Sequence, residues 1–255
     1  MLRLRGDVAP FDPSAASSAR VIWIITGNGA AVLISSTRRN VTIRNGHIRG
    51  TTTFAAGAFT TRGFLDGVAN SSGSSANLRV SDLNVSGLAD DGIDLGSNMA
   101  TLVIERCSLA VCAGRGMQAG IIHDCAADTT GDSAISGDVV ANCSGETVNT
   151  AAAAAFGVSG LSNVENCRGI AVSGPGVQGV NVSNSRGTST SGNGLAASNA
   201  INCEGVSTSG SNGVNAIGGT ASFCRVRRDG GVAIIASNAI GTGTVTAPNK
   251  SLGTP

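Results

Sequence analysis

The 255-residue chain has no tyrosine, one tryptophan, six phenylalanines and a single lysine, Lys250. Charged residues make up 13% of it, and the net charge is +1. So weak a balance gives no electrostatic case for nucleic acid or an anionic membrane surface as partner. It also argues against disorder, which goes with high net charge and little apolar content. No apolar run exceeds six residues, far too short for a membrane-spanning helix, and Val21–Ile25 suits a core strand. None of the seven cysteines forms a CxxC pair, so no zinc-type cluster is indicated and no metal is expected. Rings that could pack on a sugar are scarce.

Glycine is abundant, with 37 residues, and so is repetition. Asn142-Cys143 returns as Asn166-Cys167, Asn184-Ser185 and Asn202-Cys203. The register extends to Arg106-Cys107, Asp124-Cys125 and Phe223-Cys224. From Cys107 the steps are 18, 18, 24, 18, 18 and 21 residues. A second ladder, a small residue before an apolar one, runs from Gly92-Ile93 through Gly116-Met117, Ala134-Ile135, Gly157-Val158, Gly176-Val177, Gly194-Leu195 and Gly213-Val214 to Gly231-Val232. Two ladders on one beat mark a solenoid, each step being one coil. The expected fold is all-β, with a lead-in or cap over 1–20, the solenoid over 21–240 and a tail over 241–255.

Eighteen extended residues enclose a perimeter of roughly 60 Å, which leaves a narrow interior of Val, Ala, Ile and Cys. In the coil Gly176–Asn193 the residues expected inside are Val177, Val180, Val182 and Ser185. The position three before each ladder Cys is apolar throughout: Ile104, Ile122, Val140, Val164, Val182, Ala200 and Ala221. The Asn before the Cys turns a corner, and its amide can bond to its equivalent one coil away, forming an asparagine ladder. The six ladder cysteines are expected to stack inside as small buried hydrophobes. Cys112 lies off the ladder and is the thiol to test for reactivity. Thr51–Gly63 is expected to be a looser insertion.

Neither an aliphatic residue at every sixth position nor Gly-Gly-x-Gly-x-Asp is present, so the left-handed hexapeptide helix and the calcium-binding roll do not fit. Repeats such as Asn181-Val182-Ser183-Asn184-Ser185-Arg186-Gly187 and Asp90-Asp91-Gly92-Ile93-Asp94-Leu95 resemble those of the right-handed parallel β-helix proteins of the pectate-lyase-like superfamily. The resemblance covers roughly residues 21–240. It implies a single-stranded right-handed parallel β-helix with about 18–24 residues per coil and roughly ten coils. The superfamily spans lyases, hydrolases, epimerases, phage tailspikes and proteins without activity, so fold alone does not name a function.

Pectate-lyase-type chemistry would need a basic proton abstractor beside calcium-holding carboxylates, and the chain has no Arg-x-Pro-x-x-Arg. Asp90-Asp91-Gly92-Ile93-Asp94 resembles the Asn-Thr-Asp-Gly-Ile-Asp element of polygalacturonase-like hydrolases, whose carboxylates protonate the leaving oxygen and activate water. That family's Asp-Asp, Gly-His-Gly and Arg-Ile-Lys elements are missing here. Asp66-Gly67-Val68 and Asn212-Gly213-Val214 suggest instead that this is how the repeat turns. A second candidate comes from stacking. Glu105 and His123, two before their cysteines and pointing outward, would be neighbours with Asp124 beside them, a carboxylate–imidazole pair.

No complete catalytic set can be assembled. The favoured expectation is a non-catalytic solenoid presenting a polar face for glycan contact, adhesion or assembly. The alternative is a polysaccharide lyase or glycoside hydrolase using Asp90, Asp91 and Asp94, with calcium only in the lyase case. Met1–Arg5 leads into a polar stretch instead of an apolar leader core. The Gly/Ser/Thr/Asn-rich composition favours an extracellular or cell-surface place, and a cytoplasmic one stays open. Flat sides permit a trimer of the tailspike type without calling for it.

Overall fold

The computed structural model describes residues 21–23, 29–34, 39–71, 75–96, 100–150, 155–209, 211–228 and 234–240. The proposed cap 1–20, the tail 241–255, Gly27, Asn28, Gly231, Val232 and Lys250 lie outside them.

The chain winds into a parallel β-solenoid with three sides. One carries Val32–Ile34, Val68–Asn70 and Ile93–Asp94, then the first halves of Met117–His123, Ile135–Ala141, Val158–Glu165, Val177–Ser183 and their successors. The next side takes the second halves of those strands, so a long strand bends across an edge. The third runs from Val21–Trp23 through Ser108–Cys112, Ala126–Thr130 and Arg168–Ala171 to Arg225–Arg228. From Ile93 the solenoid makes about seven turns of roughly 20 residues. The rung after Val214 is Ile234. Earlier levels are wider, pairing Val32 with Val68 and Gly46 with Leu83. The stretch expected to be loose supplies part of that width, as an antiparallel hairpin of Thr53–Ala55 and Ala58–Thr60. Ala56 and Gly57, at φ 51° and 82°, make the left-handed turn that suits a two-residue hairpin loop. Phe54 and Phe59 stack there with ring centroids 4.7 Å apart.

The corner before each ladder Cys is left-handed in every regular coil. Arg106, Asp124, Asn142, Asn166, Asn184, Asn202 and Phe223 have φ between 48° and 57°. Asn tolerates this conformation well, whereas Arg and Phe hold it because the stacked neighbours impose it. The amides stack as expected: Asn166 Nδ2 donates to Asn142 Oδ1 at 3.3 Å and Asn202 Nδ2 to Asn184 Oδ1 at 2.8 Å. A second ladder, Asn163, Asn181 and Asn199, runs along the neighbouring outer face with bonds of 3.1 and 3.0 Å. Its signal, Asn four residues before three successive Cys or Ser positions, was present in the sequence.

The ladder cysteines are buried from Cys107 to Cys203, and Cys224 is half-buried. They are more than small hydrophobes. Each sulfur donates to the carbonyl two residues back, as Cys143 does to Ala141 O at 3.0 Å. The same atom can accept a backbone N–H from the preceding coil: Cys107 N–H donates to Cys125 Sγ at 3.4 Å, and Cys167 N–H to Ser185 Oγ at 3.1 Å. The site therefore needs a small side chain with a polar head, which is why Ser185 fits. Ser185→Ala should leave the Cys167 N–H without its partner and cost about 1–3 kcal/mol, while Ser185→Cys should be nearly neutral. Urea-unfolding midpoints of the two variants would separate these outcomes.

Two expectations need correction. Val180 is 46% exposed, because the strand bends after Gly179, which takes the inward place. Two consecutive residues, Val180 and Asn181, then face out before Val182 turns in. Cys112 is fully buried and belongs to a second inward column with Leu88, Thr130 and Thr147. Burial, followed by the nearby Asp91 carboxylate, pushes its thiol pKa up, which makes it a poor nucleophile.

Candidate functional site

The Asp90–Asp94 stretch forms the turn that leads onto the first side, and folding brings Asp66 and Arg115 to it. Asp91 accepts the Arg115 backbone N–H at 2.7 Å and its guanidinium at 3.0 Å. Arg115 also reaches Asp94 at 3.5 Å and donates to Gln118 Oε1. Asp94 in turn accepts the Gly96 N–H at 2.8 Å. Burial raises the Asp66 and Asp90 carboxyls above their usual range, helped at Asp90 by the Asp91 charge. Two carboxyls of raised pKa, Asp66 and Asp90, thus sit beside Asp91 and Asp94, which the Arg115 guanidinium reaches.

A structural role accounts for part of this cluster. Asp66 Oδ1 accepts the Asp91 N–H at 3.2 Å, Asp91 Oδ1 accepts the Arg115 N–H, and Asn193 Oδ1 accepts the Asn212 N–H at 3.2 Å. Each side chain caps the equivalent backbone N–H one coil later. Asp or Asn before Gly is therefore how this repeat closes its turn, and Asp91 is committed to it.

The second candidate constellation also assembles, and its geometry is that of a brace. Glu105 points outward as expected, yet only 3% of its side chain is exposed, because other charged side chains cover it. Arg79 donates from Nε to Oε1 at 2.8 Å and from Nη2 to Oε2 at 2.5 Å, and Arg106 Nη2 reaches Oε1 at 3.0 Å. These bonds, that of Arg79 first, hold the Glu105 pKa below its usual range, so it stays ionised and is no proton donor. His123 Nε2 lies 3.2 Å from Glu105 Oε2, and its Nδ1 lies 2.9 Å from Asp124 Oδ2. Both ring nitrogens are engaged, which leaves none turned toward a substrate. Asp124, held low chiefly by His123, also accepts Asn142 Nδ2 at 3.0 Å as a rung of the corner ladder. Arg106 pairs with Asp82 at 2.8 and 3.0 Å, so the network ties three successive coils together.

The site not foreseen is a trough along the left-handed corner. It is open, has a volume of about 1130 Å³ and runs from Asn84 to Arg225. Seven coils at ~4.8 Å make it on the order of 30 Å long. Its floor is the amide ladder. One wall is the outward row Ser144, Arg168, Arg186, Glu204 and Arg225, each one strand from the next. Arg186 lies 3.6 Å from Glu204, while Arg168 and Arg225 have no carboxylate partner among the described residues. Phe223, 65% exposed, occupies the Asn position at one end. An exposed ring in a left-handed conformation is a strained arrangement of the kind found at binding sites. The Arg row could have been found by reading the residue after each ladder Cys or Ser, which is Ser108, Ala126, Ser144, Arg168, Arg186, Glu204 and Arg225.

Among the described residues, no group of three or more His, Cys, Asp or Glu is arranged to hold a metal ion. No family model, curated protein or solved structure matches the chain.

Proposed function

We propose that the chain is a non-catalytic, extracellular or cell-surface β-solenoid that holds an extended glycan along its corner trough. The observation that carries this is the alignment, over several coils, of an amide floor, a row holding Arg168, Arg186 and Arg225 with Glu204 among them, and an exposed ring at one end. Repeating donors at a constant rise suit a repeating polymer. The guanidinium groups of Arg168 and Arg225, without a carboxylate partner among the described residues, favour one that bears carboxylates or sulfates. We also read the winding as right-handed and the chain as kin to the pectate-lyase-like repeat proteins, on the repeats quoted above and the asparagine stack. No cofactor is implied.

Co-sedimentation with insoluble polysaccharides and calorimetry with soluble acidic and neutral glycans test the proposal. Arg168→Glu with Arg186→Glu should weaken binding to the acidic glycans about tenfold or more, equivalent to roughly 1.4 kcal/mol or more. Phe223→Ala should weaken it without altering the melting curve, since its ring packs on little. Binding unchanged in both variants, or absent for every glycan, would remove the trough from consideration.

The carboxylate cluster favours a second reading, a polysaccharide-degrading enzyme, because Asp90 sits raised beside the arginine-bound Asp91. A polyuronate panel, followed by absorbance for unsaturated products and by reducing ends, tests it. Turnover lost in Asp90→Asn would establish the enzyme in place of the binding protein.

A further inference from the structure

The thiol column is interrupted, and the interruption isolates two of its members. Cys107, Cys125, Cys143 and Cys167 stack in order, Ser185 takes the next place, and Cys203 and Cys224 follow. Between these two coils Ile201 pairs with Ser222 and Glu204 with Arg225, which sets Cys203 opposite Cys224. Arg225 N–H donates to Cys203 O at 2.7 Å, fixing the two backbones side by side. Parallel neighbours lie ~4.8 Å apart, inside the roughly 4.4–6.8 Å between Cα atoms that a disulfide spans. Neither thiol is tied to the other: Cys203 donates to Ile201 O at 3.2 Å and Cys224 to Ser222 O at 3.4 Å.

We propose that Cys224 and Cys203 are a redox-active dithiol, with Cys224 the attacking thiol, Cys203 the resolving one and a low-molecular-weight disulfide the oxidant. Cys224 is the one cysteine not fully buried, and it lies where the trough ends. The neighbouring Cys203 thiol pulls the Cys224 thiol down to about 7, while the Cys224 thiol and burial push that of Cys203 up. A thiol with a pKa near ambient pH attacks disulfides fastest, while its partner keeps its proton until the second step.

In the first step the Cys224 thiolate attacks one sulfur of the oxidant RSSR, forming the Cys224–S–S–R mixed disulfide and releasing RS⁻. In the second, Cys203 gives up its proton and attacks Cys224 Sγ, expelling the second RS⁻. The protein dithiol is oxidised, RSSR is reduced to two RSH, and one S–S bond joins the two neighbouring coils. Ser185 prevents the bond from passing up the column, since the neighbour of Cys203 on that side is not a thiol. The remaining five cysteines are sealed, with exposures of 0–4%.

The test treats the native full-length protein with oxidised glutathione, then alkylates, digests without reduction and maps peptides by mass. A linked Cys203–Cys224 peptide is expected, with the other five cysteines alkylated only after denaturation. Cys203→Ser should stop at a stable glutathione adduct on Cys224, and Cys224→Ser should abolish reaction. Both variants install the residue already tolerated at Ser185, and the wild-type map decides the matter even if either fails to fold. Phenylarsine oxide, which bridges paired thiols, should bind one equivalent per chain and block the reaction. An unreactive Cys224, a wild-type adduct that persists without the linked peptide, or linkage between other cysteines would overturn the proposal.

Discussion

Replacing Val182 by Asp is expected to unfold the central coils. Val182 is 1% exposed and lies in the inward row between Val164 and Ala200. A carboxylate there would face the apolar interior, where no Lys, Arg or His is buried among the described residues. An unpartnered buried charge costs on the order of 3–5 kcal/mol, a large share of the stability of any single domain. Each coil of a solenoid is held mainly by its neighbours, so the damage spreads in both directions. Val182→Ala copies the next rung, Ala200, and should be far milder. Circular-dichroism melts of the two variants provide the comparison. A cooperative wild-type-like transition for the Asp variant would place residue 182 outside the core.

Gly187→Val is expected to be comparably severe for a different reason. A Cβ at Gly187 would fall 1.9 Å from Gly194 O, and Gly169 and Gly205 face the same obstacle at 1.8 and 2.0 Å. The obstructing atoms are backbone of the opposite wall and cannot swing aside. The interior narrows along this row, from Leu109 to Ala127 to Gly145, Gly169, Gly187 and Gly205. At the narrow end the two walls touch through hydrogen atoms alone. Forcing them apart should cost roughly 3 kcal/mol or more, read as a large fall in melting temperature or loss of soluble protein. A variant that melts with the wild type would mean the walls are not in contact.

Each part of the trough illustrates what could be read from the chain and what could not. The Asn rungs were legible because they recur next to a Cys. The Arg row beside them was legible in principle, yet it gains significance only when those residues line one concave edge. Phe223 looked like one more scarce ring and turned out to be the exposed one. The Asp90–Asp94 cluster was found from its pattern, but Arg115 and Asp66, 24 and 25 residues from Asp91, were not. The Glu105–His123–Asp124 grouping was foreseen from stacking, whereas the arginines that neutralise Glu105 were not.

The sequence by itself determined the coil length, the corner positions, the inward apolar row and the parallel stacking. All of these follow from residue types recurring at a nearly constant step, and identical steps can be satisfied together only by winding. Tertiary structure alone decided where the strands bend, which put Val180 outside, and how thin the interior becomes, which made the glycine row obligatory. It also decided which charges meet across coils. Those outcomes depend on distances between chain segments whose separation in sequence varies with each insertion, and no local pattern encodes them.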